Sequence, residues 1–466
     1  MIEKIKQKIK TIPGMDILLE QEWAKPYQAE LGRDTVKRVF NDELTKLRRL
    51  ILSGEDVDVS LGSLRLRLEE LLEDQGKSRL RPMLNATGVV IHTNLGRSRL
   101  AKQALKAVTD IASNYSNLEY NLKEGQRGHR NEHIEPSLCA VTGAEAALVV
   151  NNNAGAVLLC LSALSRGSEV IVSRGELVEI GGSFRIPDIM EFSGAKLIEA
   201  GTTNRTHLKD YARAITENTS MLLKVHPSNF RITGFTTAPS RADLAALAHE
   251  RGLIFMEDAG SGLLAESSEL GLGGEASVME SLKDGVDIIT FSGDKMLGGP
   301  QIGVIAGKRT IVDRLRGHPV LRALRVDKMT LAAFEATIRL YMKKSYDEIP
   351  TLAMLRRSDE SMKAQAARLA AKLRRAVGGV TVAVIRVDDA VGGGSYPEQP
   401  LHGWGVAVSG HPLGSAGRLA ELLRSRDVPI ICGARDEALV LHVRTLRAED
   451  EREVVRAFGE MRNRRG

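Results

Sequence analysis

FSGDKMLGGPQIGVIAGK, Phe291–Lys308, reads as the end of one strand, a tight turn and a second strand. Val286, Ile288 and Ile289 lead into Ser292-Gly293-Asp294-Lys295, and two glycines and a proline then open the apolar run Ile302–Ala306. A lysine at a strand end among small residues suits an amine that attacks a carbonyl. Burial strips its hydration and eases loss of its proton, which exposes the nucleophilic lone pair. Taken alone, a lysine on a surface loop is the commoner case. The flanking sequence shifts that balance.

From Asn85 to Lys328, strand and helix signals alternate. Val89-Val90-Ile91 reads as a short strand ending at His92-Thr93-Asn94-Leu95-Gly96-Arg97, and Ala146–Val150 as another, followed by Asn151-Asn152-Asn153-Ala154-Gly155-Ala156 and an apolar helix through Leu164. Further strands fall at 169–172, 196–199, 221–225, 253–256 and 288–291, with helical spacers such as Ser240–Glu250. This alternation predicts an α/β domain, residues 85–328, with an open and mostly parallel sheet whose ligands bind at the carboxyl ends of its strands. Residues 1–84 read as an N-terminal helical domain: Val36, Val39, Phe40, Leu44 and Leu47 recur at helical spacing, as do Leu61, Leu64, Leu68 and Leu72. Residues 329–466 read as a small α+β domain. It has two long helices, 331–344 and 352–377, a strand at 380–387, a turn at Gly392–Gly394 and shorter strands and helices beyond.

Composition narrows the function classes. The chain has 466 residues, 43% hydrophobic and 27% charged, as in a soluble globular protein of two or three domains. Its net charge of +6 and pI of about 9.1 favour a polyanionic partner. The three cysteines, Cys139, Cys160 and Cys432, form no CxxC pair, so neither a disulfide framework nor a zinc site is indicated, and a reducing cytoplasm fits. The most apolar region, 144–164, is interrupted by three asparagines, which argues against a transmembrane helix, and Met1–Lys10 does not read as a signal peptide.

Three weak signals gain weight from their order. Asn152, Asn153, Ala154 and Gly155 stand where a strand gives way to a helix, so their amides and the helix dipole can hold a phosphate. Met256-Glu257-Asp258 ends a strand with a carboxylate that can keep a pyridinium nitrogen protonated. Lys295 follows about forty residues later, with Ser292 as a further phosphate ligand. An anion turn, an aspartate and a lysine, in that order along an α/β chain, are the parts of an enzyme that uses pyridoxal 5'-phosphate (PLP). Each has an ordinary alternative: an asparagine-rich turn, a turn aspartate, a loop lysine.

The segments HTNLGRS (His92–Ser98), NNNAGAV (Asn151–Val157), SRGELVEIGGSFRIPDIM (Ser173–Met190), KVHPSNFRITGF (Lys224–Phe235) and FSGDKMLGGPQIG together resemble bacterial selenocysteine synthase, the L-seryl-tRNA(Sec) selenium transferase family, within the PLP-dependent aspartate-aminotransferase-like superfamily. The match runs over nearly the whole chain. It implies fold type I and a reaction in which Ser-tRNA(Sec) and selenophosphate give Sec-tRNA(Sec) and phosphate through a PLP-bound dehydroalanyl group. On this resemblance Lys295 carries PLP and acts as base, and Asp294 is a proton donor. Ser228, in the Lys224–Phe235 segment, joins Asp258, Ser292 and the 152–155 turn around the cofactor. Arg97, Arg322 and Arg325 match arginines that bind the selenophosphate oxyanion, a role suited to the fork of a guanidinium. Arg322 and Arg325 are expected to share the face of a helical turn.

The resemblance further implies a homodecamer, a pentamer of dimers with active sites at dimer interfaces, in the cytoplasm, with tRNA held by the N-terminal helical domain. That domain has 16 Lys/Arg against 15 Asp/Glu, so local clusters such as Lys37-Arg38 and Arg48-Arg49 must do the docking. Arg356-Arg357, Lys363, Arg368, Lys372 and Arg374-Arg375 are expected on one C-terminal helix, as a tRNA path or, slightly favoured, a solvated face. His92, His226, Glu176 and Arg185 have no role that follows from residue type, and Trp23 and Trp404 read as packing residues. Two competing readings remain. One is a related PLP lyase acting on a small amino acid or phosphorylated amino sugar, which the N-terminal domain disfavours. The other is a tRNA-binding protein without catalysis, which the joint presence of Lys295, Asp258 and the phosphate turn disfavours.

Overall fold

Strict alternation along the strands accounts for the large sheet. Ala147, Val149, Ile171, Leu222, Phe255, Ile289 and Val304 pack into one buried core, while Leu148, Val150, Val170, Val172, Leu223, Met256 and Ile288 pack into another. Successive side chains point to opposite faces, so a sheet covered on both sides needs apolar residues at every position. Deleting one such side chain, as in Phe255→Ala, costs roughly 3–5 kcal/mol. The seven strands lie in the order Ala146–Val150, Gly303–Gly307, Ile288–Ser292, Ile254–Gly260, Thr219–Val225, Glu169–Ser173, Lys196–Ala200. Only Gly303–Gly307 runs antiparallel to its neighbours. Two strands position the chemistry: Ile254–Gly260, the aspartate strand, and Ile288–Ser292, the lysine strand, paired in parallel.

The computed structural model describes residues 2–180, 184–273, 275–396, 399–410 and 414–463. The chain divides into two units, Met1–Pro82 and Met83–Gly466. The first consists of helices Ile2–Lys10, Met15–Leu19, Ala24–Leu31, Arg33–Leu52 and Leu61–Gly76. Arg33–Leu52 buries Val36, Val39, Phe40, Leu44, Leu47 and Ile51 in a core shared with Leu64, Leu68 and Leu72 of the last helix. Trp23 packs on Phe40 with ring centroids 5.7 Å apart, a packing role as expected.

The second unit holds the large sheet and a five-stranded sheet ordered Leu84–Ala86, Ile430–Arg435, Ala438–His442, Leu401–Ser409, Thr381–Asp389. The expected domain start at residue 85 therefore falls inside a strand that pairs, in parallel, with Ile430–Cys432 near the end of the chain. The strand expected at Val89-Val90-Ile91 is instead a single bridge, Val89 to Ala390, followed by a turn. These β-branched residues are consumed by backbone bonds from Val90 and Ile91 to the carbonyls of Ala390 and Val391. The helix expected over 352–377 is two, Pro350–Leu355 and Asp359–Ala376. Ser358 interrupts it as an N-cap, accepting the Ser361 amide at 3.2 Å, with Asp359 and Glu360 in the first turn.

The break also redistributes the basic residues. Arg357 donates to the carbonyls of Val443 and Arg444, Arg374 to that of Val382, and Lys372 pairs with buried Glu451 at 2.7 Å. These cations tie the small sheet to its helices. Trp404 lies beneath Arg386 and Lys363, its indole N–H donating to Asp359.

Candidate active site

The carboxyl ends of the aspartate and lysine strands meet the start of helix Asn153–Leu164 in a cavity of about 430 Å³. Asn152, Asn153, Ala154, Asp258, Ser292, Asp294, Lys295 and Arg97 line it. Asn152 caps the helix: its side chain accepts the Gly155 amide at 2.8 Å. That leaves the amides of Asn153 and Ala154 without an intrahelical partner and able to receive an anion. The amide of Gly155, expected to help hold phosphate, is already committed to the cap. Gly303 permits this arrangement, because a Cβ there would lie 2.1 Å from the Asn152 carbonyl oxygen.

Asp258 is buried, and the hydrogen bonds to its carboxylate all fall on Oδ1, from Asn153 Nδ2 (2.8 Å), the Gly260 amide (3.2 Å) and Thr290 Oγ1 (3.3 Å). Burial pushes its pKa up, against the Asn153 hydrogen bond and the nearby Lys295 charge. Lys295 is 4% exposed, and its Nζ has no hydrogen-bond or ion-pair partner among the described residues. Burial, and then the Arg97 charge, lower its pKa; Asp258, Asp294 and Glu275 oppose them. An unpaired, easily deprotonated amine beside a buried acid has the chemistry that a nucleophile or base requires.

Arg97 and Asp294, assigned to different roles in the sequence, form one ion pair: Nη1 donates to Oδ2 at 2.9 Å. The Ser98 hydroxyl is within bonding distance of the carbonyls of Asp294 and Lys295, both at 2.8 Å, which fixes the turn that carries the lysine. Arg97 has φ 58° and Ser228 φ 51°, a region costing non-glycine residues about 1 kcal/mol or more. Ser228 is buried beside the cavity rather than on its wall. Its hydroxyl would be 3.0 Å from a Cβ on Gly260.

Arg322 and Arg325 do not reach this cavity. They line a second one, of about 240 Å³, with Glu119, Arg127, His129 and Arg130. Arg322 lies in the short helix Val320–Ala323 and Arg325 beyond it, so the expected shared helical face covers only the first. Leu324, between them, accepts the Asn151 amide at 3.1 Å, so the same loop backs the anion turn. Glu176 is a strut, bonding Lys224 Nζ (2.8 Å) and the Val225 amide (3.0 Å), and Arg185 pairs with Glu179 at the surface. His92 Nδ1 is buried without a partner. Residues 181–183 of the Ser173–Met190 segment lie outside the described residues.

Sequence reasoning missed Thr93, Phe184 and Gln301 on the cavity wall, and Gly394, on which a Cβ would lie 3.5 Å from Lys295 Nζ. The triple glycine at 392–394 was the one signal in the chain that could have found it: a turn without side chains admits close approach. Among the described residues no cluster could hold a metal ion and no helix is long and apolar enough to cross a membrane. All three cysteines are free.

The chain resembles known proteins over nearly its whole length. Residues 83–447 match the family model described as L-seryl-tRNA selenium transferase, and residues 10–48 match selenocysteine synthase N terminal. The chain is 46% identical to L-seryl-tRNA(Sec) selenium transferase of Geobacter sulfurreducens, over 97% of this chain and 98% of that one. It is 45% identical to the proteins of that name from Moorella thermoacetica (97% and 96%) and Clostridium botulinum (97% and 98%). Among solved structures, D-glucosaminate-6-phosphate ammonia-lyase superposes with a TM-score of 0.58 at 19% identity, covering 84% of this chain and 98% of that one, which bears out the α/β fold type I architecture. The chain belongs to the L-seryl-tRNA selenium transferase family.

Proposed function

We propose that this protein is an L-seryl-tRNA(Sec) selenium transferase that uses PLP to convert Ser-tRNA(Sec) and selenophosphate into Sec-tRNA(Sec) and phosphate in the cytoplasm. The observation that carries the reading is the unpaired, buried Lys295 amine in one cavity with Asp258 and the Asn153–Ala154 amides, in a chain of this family. These residues fit PLP. Lys295 would hold the aldehyde, Asp258, whose Oδ2 accepts no hydrogen bond among the described residues, would pair with the ring nitrogen, and two helix amides with Ser292 would hold the phosphate. Asn153 Oδ1, buried without a partner among the described residues, marks a polar wall that a ligand would complete.

When bound, PLP supplies an electron sink for the seryl Cα. Lys295 then holds and moves protons at Cα, a role that its lowered pKa favours. Asp294, one residue away and held by Arg97, relays to the departing β-hydroxyl the proton that Lys295 takes from Cα, so that water leaves. Arg97, with Arg322 and Arg325 supplied by a second copy of the chain, binds the selenophosphate oxyanion while selenium adds at Cβ, a proton returns to Cα and water cleaves the Se–P bond to release phosphate.

For tRNA, the support is the helix Arg33–Leu52. Opposite its buried face Lys37, Arg38, Arg48 and Arg49 are exposed, and pairs eleven residues apart fall on one side of the helix. Such a stripe contacts phosphates without reading sequence. We assign tRNA docking to residues 1–84, catalysis to 85–328 and the small domain to 329–466. The assembly in this reading is a homodecamer. That within one chain Arg322 and Arg325 line a cavity separate from that of Lys295 supports only a site shared between two copies, the dimer step of that assembly.

The test is incubation with Ser-tRNA(Sec), with and without selenophosphate, followed by mass analysis of the aminoacyl group. Selenocysteine should form only with the selenium donor. Borohydride treatment and digestion should place a pyridoxyl label on the Lys295 peptide; a label elsewhere, or none, removes the reading.

A further inference from the structure

One buried carboxylate beside the site has no part in the chemistry above. Glu275 has a side chain 7% exposed. Its Oε1 accepts the Tyr396 amide at 2.8 Å and lies 3.4 Å from His226 Nε2. Among the described residues its Oε2 is buried with no partner, as are Tyr396 Oη and Ser395 Oγ. Leaving a buried acceptor unsatisfied costs about 1–3 kcal/mol, so three together need a reason.

The imidazole between Glu275 and Ser228 has a definite tautomer. The Ser228 amide donates to His226 Nδ1 at 3.0 Å, so Nδ1 carries no proton. The ring proton of the neutral form is therefore on Nε2, facing Glu275. Both ends of this chain of contacts are strained: Ser228 has φ 51° and Tyr396 φ 50°. Backbone in this region persists only where its surroundings hold it. Between the two ends stands Gly394, where a Cβ would be 3.4 Å from Ser228 Cβ and 3.5 Å from Lys295 Nζ. The path from Ser228 through His226, Glu275 and Tyr396 back to Gly394 thus passes around the lysine amine. It joins the end of strand Thr219–Val225 to a turn that follows strand Thr381–Asp389.

We propose that Glu275 is a positioning residue for the Lys295 amine: through His226 and the Tyr396 amide it clamps the strained Ser228 and the Gly394–Tyr396 turn against that amine. The proposal rests on the reading that Lys295 is the reacting amine. The charged groups acting on Lys295 are Arg97, which favours its free base, and Asp258, Asp294 and Glu275, which favour its protonated form. Glu275 therefore has an electrostatic consequence at Lys295 that a merely structural contact lacks.

The experiment is competitive labelling of the full-length, cofactor-stripped chain with acetic anhydride across a pH series. The Lys295 peptide is followed by mass spectrometry against exposed Lys106 as internal reference. Glu275→Gln keeps an acceptor for the Tyr396 amide but removes the charge, and should move the Lys295 midpoint down by roughly half a unit to one unit. Glu275→Asp, which restores the charge, should return the midpoint to within a few tenths of the wild-type value. Glu275→Ala also opens the clamp and should raise the limiting labelling rate severalfold. A Glu275→Gln midpoint equal to wild type, with an unchanged circular dichroism spectrum, overturns the proposal. The readout needs neither PLP nor tRNA. A wild-type chain that fails to convert Ser-tRNA(Sec) would thus remove the proposed function while the midpoint still decides the role of Glu275.

Discussion

The two cavities of the catalytic unit hold their charges differently. Around Lys295 the carboxylates are buried and committed, Asp258 to Asn153 and Asp294 to Arg97, whose own side chain is 27% exposed. Around Arg322 and Arg325 the cations stay partly solvated, with the Arg325 side chain 35% exposed and only 3.7 Å contact to Glu119, which Arg130 binds more closely. In the proposed function the first is a preorganised reaction site, where fixed dipoles need no rearrangement as charge moves. The second is a basin of positive charge, suited to capturing a soluble anion that must also leave.

The sharpest way to break this contrast is Lys295→Ala. Conversion of Ser-tRNA(Sec) should fall by about 10³-fold or more, while tRNA binding in a filter assay stays near wild type. Residual conversion at a tenth of the wild-type rate would mean that the buried amine is not the base. Next in size, Arg322→Ala should raise the KM for selenophosphate about 10- to 100-fold and leave selenium-independent loss of water from the seryl group largely intact. Equal loss in both half-reactions would make the second cavity structural.

Arg97→Ala reads out the electrostatics of the first cavity. Arg97 is the main charge holding the Lys295 pKa down, so its removal should raise the labelling midpoint, by about one unit. Below its midpoint the amine is protonated and cannot accept a proton, so the acid limb of the pH–rate profile should move up by the same amount. The smallest effect is expected from Glu119→Gln, which frees Arg130 and Arg325 and should tighten inorganic phosphate binding about two- to threefold by calorimetry. The Arg130 hydrogen bond holds the Glu119 pKa below its ordinary 4.5. The pair thus adds stability above that value and loses it as pH falls through the lower, folded one. The advantage of Gln over Glu should be constant from neutrality down to about pH 5 and vanish in acid.

Reading the chain from sequence worked where chemistry and backbone are local. Asn152, Asp258 and Lys295 stand at strand ends that a run of apolar residues reveals, and such ends converge in any parallel sheet. It worked less well for Val89–Ile91, where β-branched residues suggested a strand but the only partner is the segment near Ala390, some 300 residues away. Arg357 misled for a related reason: an arginine on a helical pattern looks solvated until a remote carbonyl, here of Val443, takes the guanidinium.

What the sequence by itself determined is the set of parts: the alternating strands and helices, the anion turn, the acid and the amine, each specified by side-chain periodicity and by residue types within a few positions. Only the tertiary structure decided which parts act together. Arg97 meets Asp294 across 197 positions, Glu275 meets Tyr396 across 121, and Arg322 and Arg325 open on a cavity of their own. Such pairings depend on how sheets and turns pack around shared cores, and no local pattern records which distant residue will stand opposite.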